Sequence, residues 1–240
     1  PTASCNPPVL CANVKFGANS ALNPNSAPNY VKPSILLDRG GQKIGIVGLT
    51  IAGKTKASSS PDADTTFEDE TVAAQRQIGA LRAQGVNKII VQSHIGYAYD
   101  QTVAQALSGV DVVVGGDSHT LVGPAGLASY GVGTPAGAYP TLIQDKDGKR
   151  VCVVQAWEYS QVVGELRVTF DDKGDVQECA GTPHVLIGDN FKIAGAEPTE
   201  AQRTALLADV QASGFLRVTA PGAAAPTVLA PFQGKIGDLN

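Results

Sequence analysis

Three side chains that could bind a metal ion follow two predicted strands. Asp117 and His119 come after the apolar run Val112–Val114 and the pair Gly115–Gly116, and His94 ends the segment KIIVQSH. In an extended chain, residues i and i+2 point the same way, so Asp117 and His119 can face one site. Two imidazoles and a carboxylate are a partial ligand set for zinc, manganese or iron. The spacing makes these three residues candidate metal ligands.

Other interpretations of these residues stay open. Histidines at strand ends also hydrogen-bond to backbone without binding a ligand. A catalytic triad is disfavoured because the consecutive residues Asp117, Ser118 and His119 cannot point at one another, and the sequence has no GxSxG motif. His184 lies in a predicted loop, where we expect it to be solvated. The run Trp157–Tyr159 follows another predicted strand and could either line a substrate cleft or close the core.

The segments around these residues alternate between strand and helix patterns. The predicted strands are Val9–Val14, Ile35–Asp38, Lys43–Thr50, Lys88–Ser93 and Asp111–Val114, and the predicted helices are Glu68–Gln84 and Asp100–Leu107. This alternation predicts a layered α/β domain. Ligands in such domains collect outside the carboxyl ends of the strands. His94, Asp117 and His119 all lie at such ends.

From Thr141 onward the pattern changes to short strands of alternating polarity. These are Thr141–Gln144, Val151–Ala156, Val162–Phe170 and Val176–Cys179. The links DKDG and DDKG have hairpin turn chemistry, so the pattern predicts an antiparallel meander. A helix over Thr199–Ala212 and an Ala/Pro/Gly-rich linker over Thr219–Pro231 follow.

Composition excludes several classes of protein. The chain of 240 residues is 43% hydrophobic, which is enough for a sizeable core, and its net charge is -4. Since it has no basic run, binding to a nucleic-acid polymer is not expected. The longest apolar stretches are strand-sized, so no membrane span is expected. The first residue is proline and methionine is absent, so we expect the N-terminus to be a processing point or a cut.

The four cysteines indicate a compartment. Cys5 and Cys11 flank a Pro-Pro turn, whereas Cys152 and Cys179 lie in predicted strands. No CxxC pair suggests zinc, so two local disulfides are favoured over the alternative of buried free thiols. Disulfides predict a periplasmic or extracellular protein.

Several motifs occur together and in order. They are ANV, KIGIVGLT, QSHIGYAYD, GVDVVVGGDSHT and YPTLIQDKDGKRVCVVQAWEYSQVVGELRVTFD. From Val9 to Asp189 this order resembles the catalytic domain of the 5'-nucleotidase family of calcineurin-like metallophosphoesterases. The resemblance implies an α/β fold, a four-layer αββα sandwich that holds two divalent metal ions (Zn, Mn, Mg or Ca). The implied reaction is attack by a metal-bound hydroxide on the phosphate ester of a nucleotide or a similar substrate.

The resemblance also implies ligand roles. His94 would bind one ion, Asp117 would share that ion, and His119 would bind the other. The family usually has histidine where this chain has Asp117; a carboxylate is a harder ligand, which shifts the preference towards manganese, magnesium or calcium. The family's opening motifs, Asp-x-His and Gly-Asn-His-Glu, do not occur here, and Asn13 is not their equivalent.

The resemblance therefore predicts an incomplete catalytic domain. Residues 1–213 would form part of the metallophosphoesterase domain, and residues 214–240 a linker and the start of a helix towards a C-terminal substrate-binding domain. We expect this chain to be inactive by itself, to hold one ion or none, and to have the N-terminal fragment and the C-terminal domain as partners. The alternative is a non-catalytic binding or structural module that has lost half of the metal site.

Overall fold

The structure of the protein is a computed structural model that describes residues 7–220, 222, 226, 227 and 230. The strands are β1 (Val9–Leu10), β2 (Val14–Lys15), β3 (Val31–Lys32), β4 (Ser34–Arg39), β5 (Gln42–Thr50), β6 (Thr66–Phe67), β7 (Lys88–His94), β8 (Val112–Gly115), β9 (Thr141–Gln144), β10 (Arg150–Gln155), β11 (Val162–Phe170), β12 (Val176–Ile187) and β13 (Leu216–Val218). The helices are α1 (Ala52–Ser58), α2 (Glu70–Arg82), α3 (Tyr97–Ala106), α4 (Gly126–Ser129) and α5 (Glu200–Ser213). The chain divides into one unit up to Pro183 and a second from His184.

A six-stranded sheet is the centre of the first unit. Its order is β4-β5-β7-β8-β10-β9. The four inner strands are parallel, and the edge strands β4 and β9 are antiparallel to their neighbours. Parallel strands need crossover connections, which α2 and α3 provide here between β5 and β7 and between β7 and β8. The carboxyl ends of the inner strands consequently meet at one edge of the sheet.

Both faces of the sheet are covered, which explains the nearly continuous apolar character of its inner strands. One face packs against α2 and α3, and alternate strand residues point to the other face, as pleating requires. The helix-facing strand residues are Val47, Ile89, Val91, Val113, Val151 and Val153. On the other face, Val112, Cys152 and Ile90 pack with residues of β11 and β12. Helices, central sheet and second sheet are three of the four layers expected for an αββα sandwich.

A disulfide joins the two sheets. Cys152 on β10 is bonded to Cys179 on β12, and the Cα atoms are 6.2 Å apart. This part of the disulfide prediction is confirmed. The Cys11 thiol forms no disulfide with a described residue and donates a hydrogen bond to Asn13 Oδ1 at 3.5 Å, and burial raises the pKa of this thiol, so the expected Cys5–Cys11 pair stays a prediction. Its expected partner Cys5 lies outside the described residues.

The second unit contains α5 and β13, and β13 pairs in parallel with the last residues of β12. Helix α5 begins at a capping box, in which the Thr199 side chain accepts a hydrogen bond from Gln202 N and the Gln202 side chain accepts one from Thr199 N. It ends at Gly214, whose positive φ of 76° suits the residue after a helix. The predicted linker over Thr219–Pro231 lies largely outside the described residues, and the expected helix after it lies wholly outside them.

Apart from the first strand, the predicted strands and helices of the α/β part lie near their expected positions. The four predicted strands of the meander also occur, but they form the separate pairs β9–β10 and β11–β12 and no continuous meander. The expected strand Val9–Val14 is interrupted, giving β1 and β2. β9 and β10 belong to the central sheet, where β10 is parallel to β8, and β11 lies in another sheet beside β12. His184 was expected in a loop but is a partly buried residue of β12, which is longer than predicted. In the described part of the chain, no helix is both long and apolar enough to cross a membrane.

Asp111 is a buried acid immediately before β8. Its Oδ2 accepts a hydrogen bond from Ile89 N at 2.7 Å, which holds the start of β8 beside β7. Burial raises the pKa of the Asp111 carboxyl to about 7, although the Ile89 N–H and the charges of Arg82 and Lys149 act in the opposite direction. The folded-state pKa thus lies above the ordinary value for an unfolded chain, about 3.9.

This difference predicts a pH-dependent stability. Between the two pKa values the folded protein retains a proton that the unfolded chain has released, so the free energy of unfolding falls as pH rises towards 7. Asp111→Asn removes the titratable carboxyl group but keeps an oxygen that can accept the hydrogen bond from Ile89 N. Between pH 5 and 7 the stability of the natural protein should fall relative to this variant by on the order of 2 kcal/mol, measured by chemical denaturation. Asp172→Asn, in an exposed turn, is the control; parallel pH profiles for all three proteins would contradict the prediction.

Candidate functional site

The register of the parallel strands brings the chemically active segments side by side. Thr50, the last residue of β5, pairs with His94, the last residue of β7. Gly115 at the end of β8 pairs with Gln155 at the end of β10. Asn13, fully buried, fastens this edge further because its amide donates to Thr50 O at 2.8 Å and its Oδ1 accepts from Thr50 N at 3.1 Å. The ends of β5 and β7 and the loop after β8 line a common pocket.

This pocket has a volume of about 370 Å³ and a polar lining. Its walls come from the ends of β5 and β7, from α1, and from the segment after β8. The lining residues are Thr50, Ile51, Lys54, Thr55, Ser58, Ser59, His94, Asp117 and His119. Hydroxyls, imidazoles and an ammonium group suit an anionic ligand. Asp117 supplies the negative charge that a cation would need.

Asp117 is the charged centre of the pocket. Its Oδ1 accepts a hydrogen bond from Lys54 Nζ and lies 3.6 Å from His94 Nε2. The Asp117 side chain is only 11% exposed, whereas that of Lys54 is 55% exposed. Helix α1, which carries Lys54, is held in place by Glu70, whose Oε1 accepts from Ala52 N at 2.8 Å. Two cationic or potentially cationic groups thus face one shielded carboxylate.

His119 is oriented by a different carboxylate. Its Nδ1 lies 3.2 Å from Glu158 Oε2, and its ring contacts the edge of Tyr159 at a centroid distance of 5.1 Å. Tyr159 is 77% exposed, so it does not close the core. Of the two earlier interpretations of Trp157–Tyr159, the contacts with His119 favour a position beside the pocket.

Ser118 holds the loop that follows β8 in place. Asp117 and His119 have positive φ angles of 74° and 50°, so the segment is not an extended strand. Ser118 turns away from the pocket: its Oγ accepts a hydrogen bond from Tyr97 N at 3.0 Å and lies 3.4 Å from Gln155 Oε1. The hydroxyl therefore joins the loop to α3 and β10, which is a structural role.

Asp100 is buried directly beneath this loop. Its Oδ1 accepts from Ser93 Oγ, and its Oδ2 has no hydrogen-bond partner among the described residues. Burial raises the pKa of the Asp100 carboxyl to about 6; the charge of Asp117 raises it further, and the Ser93 hydrogen bond lowers it. Gly115 leaves the space that Asp100 Oδ2 occupies, since a Cβ at Gly115 would collide with that oxygen.

The structure brings the three predicted ligands to one pocket but not into one coordination sphere. Within the described ranges, no group of three or more His, Cys, Asp or Glu residues could hold a metal ion. His94 and Asp117 converge, while His119 is turned towards Glu158. Sequence reasoning missed Lys54, because its segment has the Gly, Ser and Thr content of a loop.

Known proteins resemble this chain in sequence and in structure. No protein-family model matches it. A probable 5'-nucleotidase from Treponema pallidum is 41% identical over 206 residues, which are 83% of this chain and 34% of that protein. The chain belongs to the 5'-nucleotidase family of calcineurin-like metallophosphoesterases. It spans about a third of the length of this curated relative.

Solved structures of the 5'-nucleotidase family share its fold. The NAD nucleotidase of Haemophilus influenzae superposes with a TM-score of 0.87 and 34% identity, covering 98% of this chain and 46% of that one. The 5'-nucleotidase precursor of Thermus thermophilus gives 0.67 and 38%, covering 86% and 38% respectively. The chain thus has the metallophosphoesterase fold expected from its motifs, corresponding to part of larger proteins.

The packing of Asp100 against Gly115 leads to a prediction. Gly115→Ala should destabilise the protein by about 1–3 kcal/mol, because the added methyl overpacks a buried carboxyl. Gly79→Ala is the matched control: Gly79 lies inside α2 with no atom within 4 Å of an added Cβ, so alanine should stabilise by about 0.5–1 kcal/mol. Chemical denaturation measures both. The double variant Gly115→Ala/Asp100→Ala should lose less free energy of unfolding than the two single variants lose together, because the methyl group no longer meets the carboxyl. Strictly additive losses would contradict the predicted steric clash.

Proposed function

We propose that the protein is part of a divalent-metal-dependent phosphohydrolase that acts on nucleotides, and that the pocket beside Asp117 contributes to its active site. The observation that carries this proposal is the convergence of His94, Asp117 and His119 on one pocket in a chain of the 5'-nucleotidase family. The names of the relatives support nucleotide substrates, since they are called 5'-nucleotidases and NAD nucleotidase.

The donor set fits a metal ion only in part. Imidazole nitrogen and carboxylate oxygen are suitable ligands for divalent ions, and His94 and Asp117 already lie close together. However, Lys54 Nζ donates to Asp117 and thereby balances the charge of the carboxylate, and the described residues contain no third His, Cys, Asp or Glu grouped with the pair. We infer that His94 and Asp117 would hold one ion together with ligands from outside this chain. His119 would serve a second ion.

A divalent ion in such a site supplies positive charge that polarises a phosphate ester and makes water more acidic. The residues of this chain provide the surroundings of that reaction. Lys54 can accompany an anionic phosphate, because its side chain is largely exposed at the mouth of the pocket. The hydroxyls of Thr55 and Ser59 can donate hydrogen bonds to phosphate oxygens, whereas that of Ser58 donates to Lys54 O. Which substrate is selected would depend on the remainder of the parent protein.

We also propose that the parent protein works in the periplasm or outside the cell. The Cys152–Cys179 disulfide supports this location because disulfides persist in oxidising compartments. One similar structure is that of a 5'-nucleotidase precursor. The partners would be a nucleotide or related phosphate ester and the missing parts of the same protein.

Calorimetric titration of the 240-residue chain with Mn²⁺ tests the metal site. We expect weak saturable binding of at most one ion, because the family's opening motifs, which would supply further ligands, do not occur in this sequence. His94→Ala should weaken it at least tenfold, since a direct ligand contributes no less than an outer partner does. His184→Ala is the matched control, because His184 is the one histidine outside this pocket, and it should leave the affinity unchanged. Equal loss in both variants would argue against the site.

Chromatography of the products formed from AMP, 2',3'-cyclic AMP and NAD, with Mn²⁺ or Zn²⁺ present, tests the second part of the proposal. We expect no turnover by this chain alone. Robust hydrolysis would contradict the expected inactivity.

The non-catalytic alternative is favoured by the Lys54–Asp117 contact, in which an ammonium group already balances the carboxylate. Absence of both metal binding and turnover would support that alternative.

A further inference from the structure

We propose that Glu158 is a positioning residue that fixes the ring orientation and tautomer of His119. The inference rests on the proposed role of His119 in the pocket, although its main test does not require metal or activity. Glu158 Oε2 lies 3.2 Å from His119 Nδ1 and is placed to accept the proton of that nitrogen. The lone pair of the neutral ring is then on Nε2, which is the nitrogen available for an ion or a phosphate.

The contact with Glu158 determines which tautomer of the His119 imidazole is favoured. A neutral histidine carries its proton on either ring nitrogen, and the hydrogen bond made by one nitrogen determines which nitrogen can act as a ligand. Histidines that bind metals typically donate their other N–H to a carboxylate or a carbonyl. Glu158 is the carboxylate placed to receive that N–H from His119, and its side chain is only 26% exposed. Tyr159 packs edge-on against the same ring and restricts its rotation.

The backbone around Glu158 is built to hold it in this place. Gln161 N donates to Glu158 O at 3.0 Å, which closes a tight turn after β10. The two central residues of this turn, Tyr159 and Ser160, have positive φ angles of 46° and 59°, and Trp157 before it has 55°. Residues with side chains adopt this conformation at a cost, and such residues cluster at functional sites. The turn directs the Glu158 carboxylate towards the His119 loop.

A second contact fixes the distance between the two loops. Gln155, which is buried, donates from Nε2 to Thr120 O at 3.1 Å, and its Oε1 lies 3.4 Å from Ser118 Oγ. The residues on both sides of His119 are therefore tied to the end of β10, Thr120 through its backbone carbonyl and Ser118 through its hydroxyl. Glu158 lies three residues further along the same segment. One strand end thus positions the His119 backbone through Gln155 and its imidazole through Glu158.

Long-range ¹H–¹⁵N NMR spectra of histidine side chains test the proposal on the whole chain. The protein has three histidines, and His119→Asn identifies the signals of His119 by their loss. At alkaline pH, where free histidine side chains are neutral, we expect His119 to be the Nδ1–H tautomer. Glu158→Ala should convert it to the Nε2–H form or a mixture. Glu158→Gln should keep the Nδ1–H form, because the amide oxygen still accepts a hydrogen bond.

Glu178→Ala, at an exposed position of β12, is the matched control and should leave the tautomer unchanged. An Nε2–H tautomer in the natural protein, or the same pattern after Glu158→Ala, would overturn the proposal; the first result requires no variant to fold. In the Mn²⁺ titration, Glu158→Ala should weaken any binding that involves His119 by 10- to 100-fold. If no variant binds Mn²⁺ but the tautomer changes as expected, the metal proposal fails and the positioning role of Glu158 stands.

Discussion

The candidate site depends on the register of four parallel strands buried between two layers. Because β5, β7, β8 and β10 run in the same direction, their last residues lie in a row. A slip of one residue would turn each side chain to the opposite face and would expose the apolar set that packs on α2 and α3. The free energy of core packing therefore also fixes the positions of Thr50, His94, Gly115 and Gln155. The same packing that stabilises the fold therefore also positions the residues of the candidate site.

Negative charge at this edge is divided between two environments. Asp117 faces the pocket beside Lys54 and His94, where its charge is compensated. Asp100 lies beneath it, and burial together with the charge of Asp117 raises the pKa of Asp100 to about 6. Burial and a neighbouring negative charge both disfavour the ionised form of the inner acid, Asp100. The buried acid fills the space beside Gly115, and the outer one remains the group that can meet a cation.

Much of this arrangement could be predicted from local patterns, and the exceptions have physical causes. The strands ending at Thr50 and His94 and the helix over α2 have clear apolar periodicity, so their positions were predictable. Helix α1 has no buried residue and no side-chain cap; it depends on Glu70 and on the Lys54–Asp117 contact, which are distant in sequence. The meander was wrong because β10 forms the expected hairpin with β9 but pairs on its other side in parallel with β8, a long-range pairing that short segments do not encode.

That His94, Asp117 and His119 line one pocket was predictable for a different reason, since they follow ordered motifs, but their orientation was not. In an extended chain, Asp117 and His119 would point in parallel at one ion. The left-handed backbone of both residues separates them instead, so that one meets Lys54 and the other meets Glu158.

Unfavourable backbone conformations are concentrated in the two loops that orient the side chains of the pocket. Among the described residues, eight non-glycine residues have positive φ, and five of them lie in the two loops that follow β8 and β10. Each such residue costs about 1–3 kcal/mol and persists only where its surroundings determine it strongly. Here those surroundings are the hydrogen bonds of Ser118 and Gln155 and the closed turn after Glu158. The core thus stabilises a backbone that local preferences disfavour, and the result is a carboxylate and an imidazole held at set positions on the pocket wall.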